Sequence, residues 1–379
     1  MKKGILRCVI FALLTITLTL CAHAEDTLSK ETDEPWQTWL DTVPKEVAEF
    51  LPDSFFSQSI AESEEGVAEG GSVQTVLNAV LRALGLSLGD ALRLLAKICG
   101  LLVLSAVFRS LSPEDKRGLG RALSLCSTLA LSLLILASSK GLFTRLDTYF
   151  TTIKGVATSF LPLMGTLYAM GGNVRAAAVN HSVMSAFLVI LETLCAGSVM
   201  PIAGVCTSLS LLDAGAGTIS LRPLSAFIKR TYTLTLSFLM LLLCGVLGLQ
   251  STLAKASDTM ALRTARFAAG HFLPVVGGSV AAALRSVAAS VEYLRGVAGT
   301  GVILVLFYAF LPTFLFVLLT RAAFLLGGAI AKLLRCDSEE KILAELGSVF
   351  GYFLAVISSL FVMLVFSLTL FARAAAVGR

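Results

Sequence analysis

The chain has 379 residues, 56% hydrophobic and only 15% charged, with a mean hydropathy of +0.85 and a formal net charge of +5. Soluble proteins carry roughly 25% charged residues, so this composition excludes an ordinary soluble globule and points to an all-α, polytopic membrane protein. Residues 1–24 read as a secretory signal peptide: Lys2, Lys3 and Arg7 start it, Ile5 to Leu20 is apolar, and Ala22-His23-Ala24 offers a cleavage site. A lipidated Cys21 fits less well, because bulky Leu20 stands where a small residue is wanted, and an uncleaved anchor is the other alternative.

Residues 25–90 form a small acidic N-terminal segment, with thirteen Asp or Glu between Glu25 and Glu69 against Lys30 and Lys45, a net of −11. Orientation is set chiefly by Lys and Arg kept in the cytoplasm, so the segment is expected on the extracytoplasmic side. Short helices are expected around Trp36, Trp39, Leu40 and Phe50 to Phe56, broken at Pro35, Pro44 and Pro52. On acidic composition alone a solvated, loosely ordered segment is the favoured reading.

Residues 91–230 form a first membrane unit. Ala91 to Phe108 is long enough to span, with Arg93 and Lys97 placed to snorkel toward an interface. Arg109 to Arg121 reads as a cytoplasmic turn, and Ala122 to Ser139 crosses back. Next, Leu142, Leu146, Tyr149, Phe150, Ile153, Ala157 and Phe160 recur at helical spacing, opposite Arg145, Asp147, Thr148, Thr151 and Lys154. This amphipathic helix suits either a flat interfacial position, which is favoured, or the wall of a polar cavity. Ala176 to Leu212 is apolar apart from His181 and Glu192 and is too long for one upright span, so a kink or break is expected at Pro201. Arg222, Lys229 and Arg230 suggest a second cytoplasmic loop.

The second unit, residues 231–330, repeats this grammar. Phe272-Leu273-Pro274-Val275-Val276-Gly277 echoes Phe160-Leu161-Pro162-Leu163-Met164-Gly165, 112 residues earlier, and Pro312 follows Pro274 by 38 residues as Pro201 follows Pro162 by 39. Proline and glycine between apolar runs mark backbone that leaves helical geometry at membrane depth, tolerated only where protein or a water-filled cavity covers it. Pro162, Pro201, Pro274, Gly277, Gly278 and Pro312 are therefore the candidate re-entrant or hinge positions. Residues 331–379 supply a charged turn, Lys332 to Glu345, and a last span, Leu346 to Ala372. The count is six firm spans plus two re-entrant or interfacial segments, six to eight in all.

No phosphate loop, paired-cysteine ligand set, nucleophile elbow or zinc-protease motif is present, and only His181 and His271 remain after the signal, so no enzyme, metal site, cofactor or nucleic-acid partner is expected. The polar groups inside apolar runs are the remaining candidates. Glu192 is foremost, because an ionisable side chain within a span is costly; His181, Asn180 and Arg175 precede it and are candidates for the same polar or gating path. The bland alternatives are a hydrogen-bonded carboxyl that serves helix packing and an interfacial anchor at a helix start. Six cysteines follow the signal without metal or redox spacing, the pattern of buried inert thiols.

The run Ala265-Arg266-Phe267-Ala268-Ala269-Gly270-His271-Phe272-Leu273-Pro274-Val275-Val276-Gly277-Gly278, continuing to Val297-Ala298-Gly299-Thr300-Gly301, resembles the stage III sporulation protein AE family of endospore-forming bacteria. Pro162, Gly171-Gly172, His181, Pro201 and the Leu224 to Arg230 stretch resemble it too, so the similarity runs through the mature chain. The family tends to have a Ser-Asp pair where this chain has Ala281-Ala282, which argues against a polar role there. The resemblance implies a non-enzymatic multi-pass subunit of a secretion-like channel complex in the mother-cell membrane around the forespore, needed for endospore development. Its implied partners are a secretion-type ATPase, ring-forming proteins and a forespore partner, besides the lipid bilayer and further copies of the chain. A stand-alone secondary transporter and a structural assembly scaffold are the alternatives.

Overall fold

A computed structural model describes residues 32–110, 117–170, 174–216, 223–239, 241–242, 245–246, 249 and 277–373. Among them the chain is helical, with no strand. The helices are α1 (32–40), α2 (Lys45–Ala48), a 3-10 turn (Asp53–Phe56), α3 (Glu64–Gly70), α4 (Val73–Ser110), α5 (Arg117–Met170), α6 (Val174–Ala216), α7 (223–239), α8 (Gly277–Leu333) and α9 (Asp337–Arg373).

From Thr32 to Ser72 the acidic segment is a packed cap. Trp36, Trp39 and Phe55 are fully buried, because three aromatic side chains in one short stretch remove more apolar surface from water than a solvated coil can offset. Trp39 meets Phe160 of α5 edge-on at 6.0 Å, and its indole N–H donates to the Val156 carbonyl at 3.4 Å. Tyr308 of α8 donates to the Gly70 carbonyl at 2.6 Å. A Cβ placed on Gly301 would lie 3.5 Å from both Trp36 and Phe55, so the cap rests on the backbone of α8. Pro44 and Pro52 stand immediately before α2 and the 3-10 turn in extended geometry, where two of the expected breaks fall, whereas Pro35 lies in the first turn of α1 and does not break it. The favoured reading of a loosely ordered segment is thus corrected, and residue 90 falls inside α4 rather than at an element boundary.

The hairpin α8–α9 is the spine of the bundle. Phe310 stacks on Phe361 at 4.3 Å, and Gly347 and Gly351 let Leu325 and Arg321 of α8 lie close to α9. The expected charged turn shrinks to Leu334, Arg335 and Cys336, since α9 begins at Asp337. Arg335 has φ 56°, and the Cys336 and Arg335 N–H groups donate to the Ala331 and Lys332 carbonyls at 2.8 and 3.1 Å. That pairing is a Schellman stop with arginine where glycine is usual. α4 runs along α8, and a Cβ on Gly327 would come within 2.9 Å of Ile98.

Other elements merge where the sequence suggested breaks. The 122–139 span and the amphipathic stretch are one helix, α5. Leu146, Tyr149, Phe150, Ile153, Ala157 and Phe160 are buried in the bundle, so the helix does not lie flat at an interface. The sequence read the amphipathic stripe correctly, but its apolar face is covered by protein. Pro162, Pro201 and Pro312 sit inside α5, α6 and α8 without ending them. A helix can absorb an internal proline where neighbouring groups satisfy the freed carbonyl. Gly277 and Gly278 open α8, while Pro274 and the second Phe-Leu-Pro block lie outside the described residues, as does the comparison of the two units. Among the described residues three helices are long and apolar enough to cross a membrane: Val73–Phe108, Ala289–Leu333 and Asp337–Thr369.

Candidate functional site

Charged side chains cost most where solvent is excluded, and the bundle holds several in defined pairs. The first group surrounds the start of α9. Glu345 Oε1 accepts from Lys229 Nζ of α7 at 2.6 Å and from Ser225 Oγ at 2.6 Å, and Lys229 also donates to Ser348 Oγ at 2.8 Å. The two charged side chains are only 7% and 13% exposed. Cys206 of α6 is buried beside them, its Sγ 3.9 Å from the Ser225 carbonyl. One turn further along, Tyr232 meets Tyr352 edge-on at 5.7 Å.

Glu339 lies six residues earlier on α9, nearly two helical turns away and on another face. It is fully buried, and its Oε1 accepts from Ser105 of α4 at 2.9 Å and Ser127 of α5 at 2.5 Å. The two glutamates therefore tie α9 to three helices, α4 and α5 through Glu339 and α7 through Glu345, with Cys206 of α6 buried beside the second link. Such links are directional, so they specify which helices sit together and at what rotation, which apolar packing alone does loosely.

A second group lies further along α4. Asp90 pairs with Arg145 of α5 at 2.9 Å and with Arg93 at 3.7 Å, and the Arg145 guanidinium sits 4.3 Å over the Phe316 ring of α8. Together with Lys97, Leu94, Gly141 and Thr320 these residues line a cleft of about 230 Å³. A third group stands near the cap. Arg295, buried on α8, donates twice to the Leu167 carbonyl at 2.9 and 3.3 Å and lies over the Tyr168 ring at 4.6 Å. Tyr293, on the same helix, donates to Glu64 of α3.

Of the residues singled out from the sequence, Arg175, Asn180, His181 and Glu192 all fall on α6. His181 is exposed, while the side chains of the other three lie outside the described ones. Pro162 and Pro201 are exposed and Pro312 is half-buried. Lys229, Glu339 and Glu345 were missed because charge density reads as loop. Lys229 belonged to an expected cytoplasmic loop and both glutamates to an expected turn, yet all three are helical. The available signal was phase: Ser225 and Lys229 are four residues apart, as are Lys341 and Glu345, so each pair shares one helix face. The cysteines divide, with Cys206 and Cys336 buried, Cys99 half-buried and Cys126 exposed. Among the described residues no cluster of His, Cys, Asp or Glu could hold a metal ion.

Long apolar helices with outward apolar stripes define a helical membrane protein. The stage III sporulation protein AE family model matches residues 56–375, and the chain belongs to that family, which places it in sporulation. Over 126 residues it is 26% identical to the stage III sporulation protein AE of Bacillus subtilis (strain 168), a stretch covering 33% of this chain and 32% of that protein. The match thus spans about a third of the curated relative's length. No solved structure matches.

Proposed function

We propose that the chain is a non-enzymatic multi-pass subunit of a transenvelope, secretion-like channel complex in the mother-cell membrane around the forespore. The observation that carries this reading is the packed acidic cap on a bundle of a sporulation family: a folded, strongly negative module anchored on α5 and α8 suits docking of extracytoplasmic partners. Lys229, Arg230, Lys332 and Lys341 gather toward the end marked by the α8–α9 turn, and the positive-inside tendency assigns that end to the cytoplasm. There a secretion-type ATPase would dock, with ring-forming proteins and the forespore partner on the cap side. Arg175, Asn180, His181 and Glu192 on α6 would face the polar path. Pro162, Pro201, Pro274, Gly277, Gly278 and Pro312 would be the points where helices bend to open it.

The test is isolation of the full-length protein from sporulating cells after cross-linking. Co-isolation of an ATPase and ring-forming proteins is the expected result. Purified protein that moves a solute against its gradient in liposomes, without partners, would instead establish a stand-alone transporter. Glu192→Gln at normal protein level should lower sporulation if Glu192 lines the path, whereas a silent variant removes it from that role.

A further inference from the structure

The cleft beside α4 has an unusual combination of neighbours. Arg93 and Lys97 are one turn apart on the outer stripe of the helix, and Arg93 is 74% exposed. Arg145 completes a set of three cations against the single carboxylate Asp90, so the cleft holds an excess of two positive charges. Asp90 is already shared by Arg145 and Arg93, and neither Lys97 nitrogen contact nor ion pair ties that side chain down among the described residues. On the same stripe, Leu86, Leu104 and Phe108 are 68%, 54% and 48% exposed. Apolar side chains in that number are covered when lipid tails lie against them. The cleft therefore opens sideways, between apolar surfaces, at the level of Phe316 and Thr320 in the long apolar helix α8.

We propose that this cleft is a binding site for an anionic phospholipid. Its phosphate is held by Arg93 and Lys97, and its acyl chains run along Leu104 and Phe108, away from the cap that α4 meets at Arg82. Arg145 is fixed by Asp90 and Phe316, so it supplies positive potential and shape while the two α4 cations close on the headgroup. Basic pockets between membrane helices recognise anionic headgroups through this chemistry. These flanking apolar side chains select a lipid over a free anion, because a soluble phosphate gains nothing from them. The site is independent of the partners proposed above, since it needs only the bundle and a bilayer.

The test uses the full chain in nanodiscs of phosphatidylcholine with increasing cardiolipin or phosphatidylglycerol, and reads lipid retention by native mass spectrometry. Arg93→Gln/Lys97→Gln removes two charges, each worth about 1 kcal/mol at a membrane surface, so apparent affinity for the anionic lipid should fall about thirtyfold. Arg230→Gln, an exposed cation on α7, should leave it unchanged. A photoactivatable phosphatidylglycerol on the unaltered protein should form adducts on α4 and α8 near residues 93–108 and 316–320. Three results overturn the proposal: adducts that map elsewhere, equal retention by the double variant, or displacement of the lipid by inorganic phosphate at comparable concentration, which would mark a plain anion site.

Discussion

Replacing Glu345 by Met tests whether the polar links around α9 hold the bundle together. At 2.6 Å the Lys229–Glu345 attraction is about 6 kcal/mol in gross terms with an effective dielectric of about 20. Withdrawal of each ion from water takes back several kcal/mol, so the intact pair contributes little net stability. Removing the carboxylate alone is different. Lys229, 7% exposed, would keep only the Ser348 hydroxyl among the contacts described above, and an uncompensated buried charge costs about 3–5 kcal/mol. The double variant Lys229→Met/Glu345→Met leaves no charge behind and should lie within about 1.5 kcal/mol of the parent. The assay is equilibrium unfolding in mixed detergent micelles, followed by circular dichroism. A Glu345→Met cost under about 1 kcal/mol, or a double variant as unstable as the sum of the singles, would refute the coupling.

Gly66→Ala should unseat the cap, because the new Cβ would fall 2.2 Å from the Phe55 nitrogen and 2.4 Å from the Ser54 carbonyl carbon, both backbone atoms that cannot swing away. The chain has only two tryptophans, both in the cap, so a red shift of intrinsic fluorescence with bundle helicity retained is the expected signal. Arg335→Gly should stabilise the α8–α9 turn by up to about 1 kcal/mol in the same micellar unfolding assay, since an L side chain in the left-handed region costs about 1–2 kcal/mol and glycine's extra unfolded-state freedom returns part of it. Burial of Asp33, and secondarily the Glu62 carboxylate, raise its pKa above 3.8. The folded cap therefore binds that proton more readily than the unfolded chain, and the associated stability is greatest below about 3.8 and lost as pH rises through the folded value. Asp33→Asn should stabilise the cap at neutral pH and leave it little changed in acid, read as the difference between the fluorescence pH profiles of parent and variant.

Composition and periodicity determined the membrane class, the helical content and the buried stripe of the amphipathic region, because each depends only on how many apolar residues occur and at what spacing. Leu146 to Phe160 illustrates both the reach and the limit of that information: the spacing identifies the face that is hidden, and the tertiary structure decides that protein rather than a membrane interface hides it. The prolines illustrate the limit again, since Pro162, Pro201 and Pro312 sit inside continuous helices α5, α6 and α8 despite the local rule against proline there. Which charges matter was decided only by the fold. Lys229 and Glu345 are 116 residues apart, and Glu339 meets Ser105 across 234, separations that no window along the chain can register. In the sequence Lys229 reads as part of a solvated loop and the two glutamates as part of a solvated turn. Only the packing of α4, α5 and α7 around the start of α9 removes water from them, and with water gone each charge needs a partner to be tolerated at all.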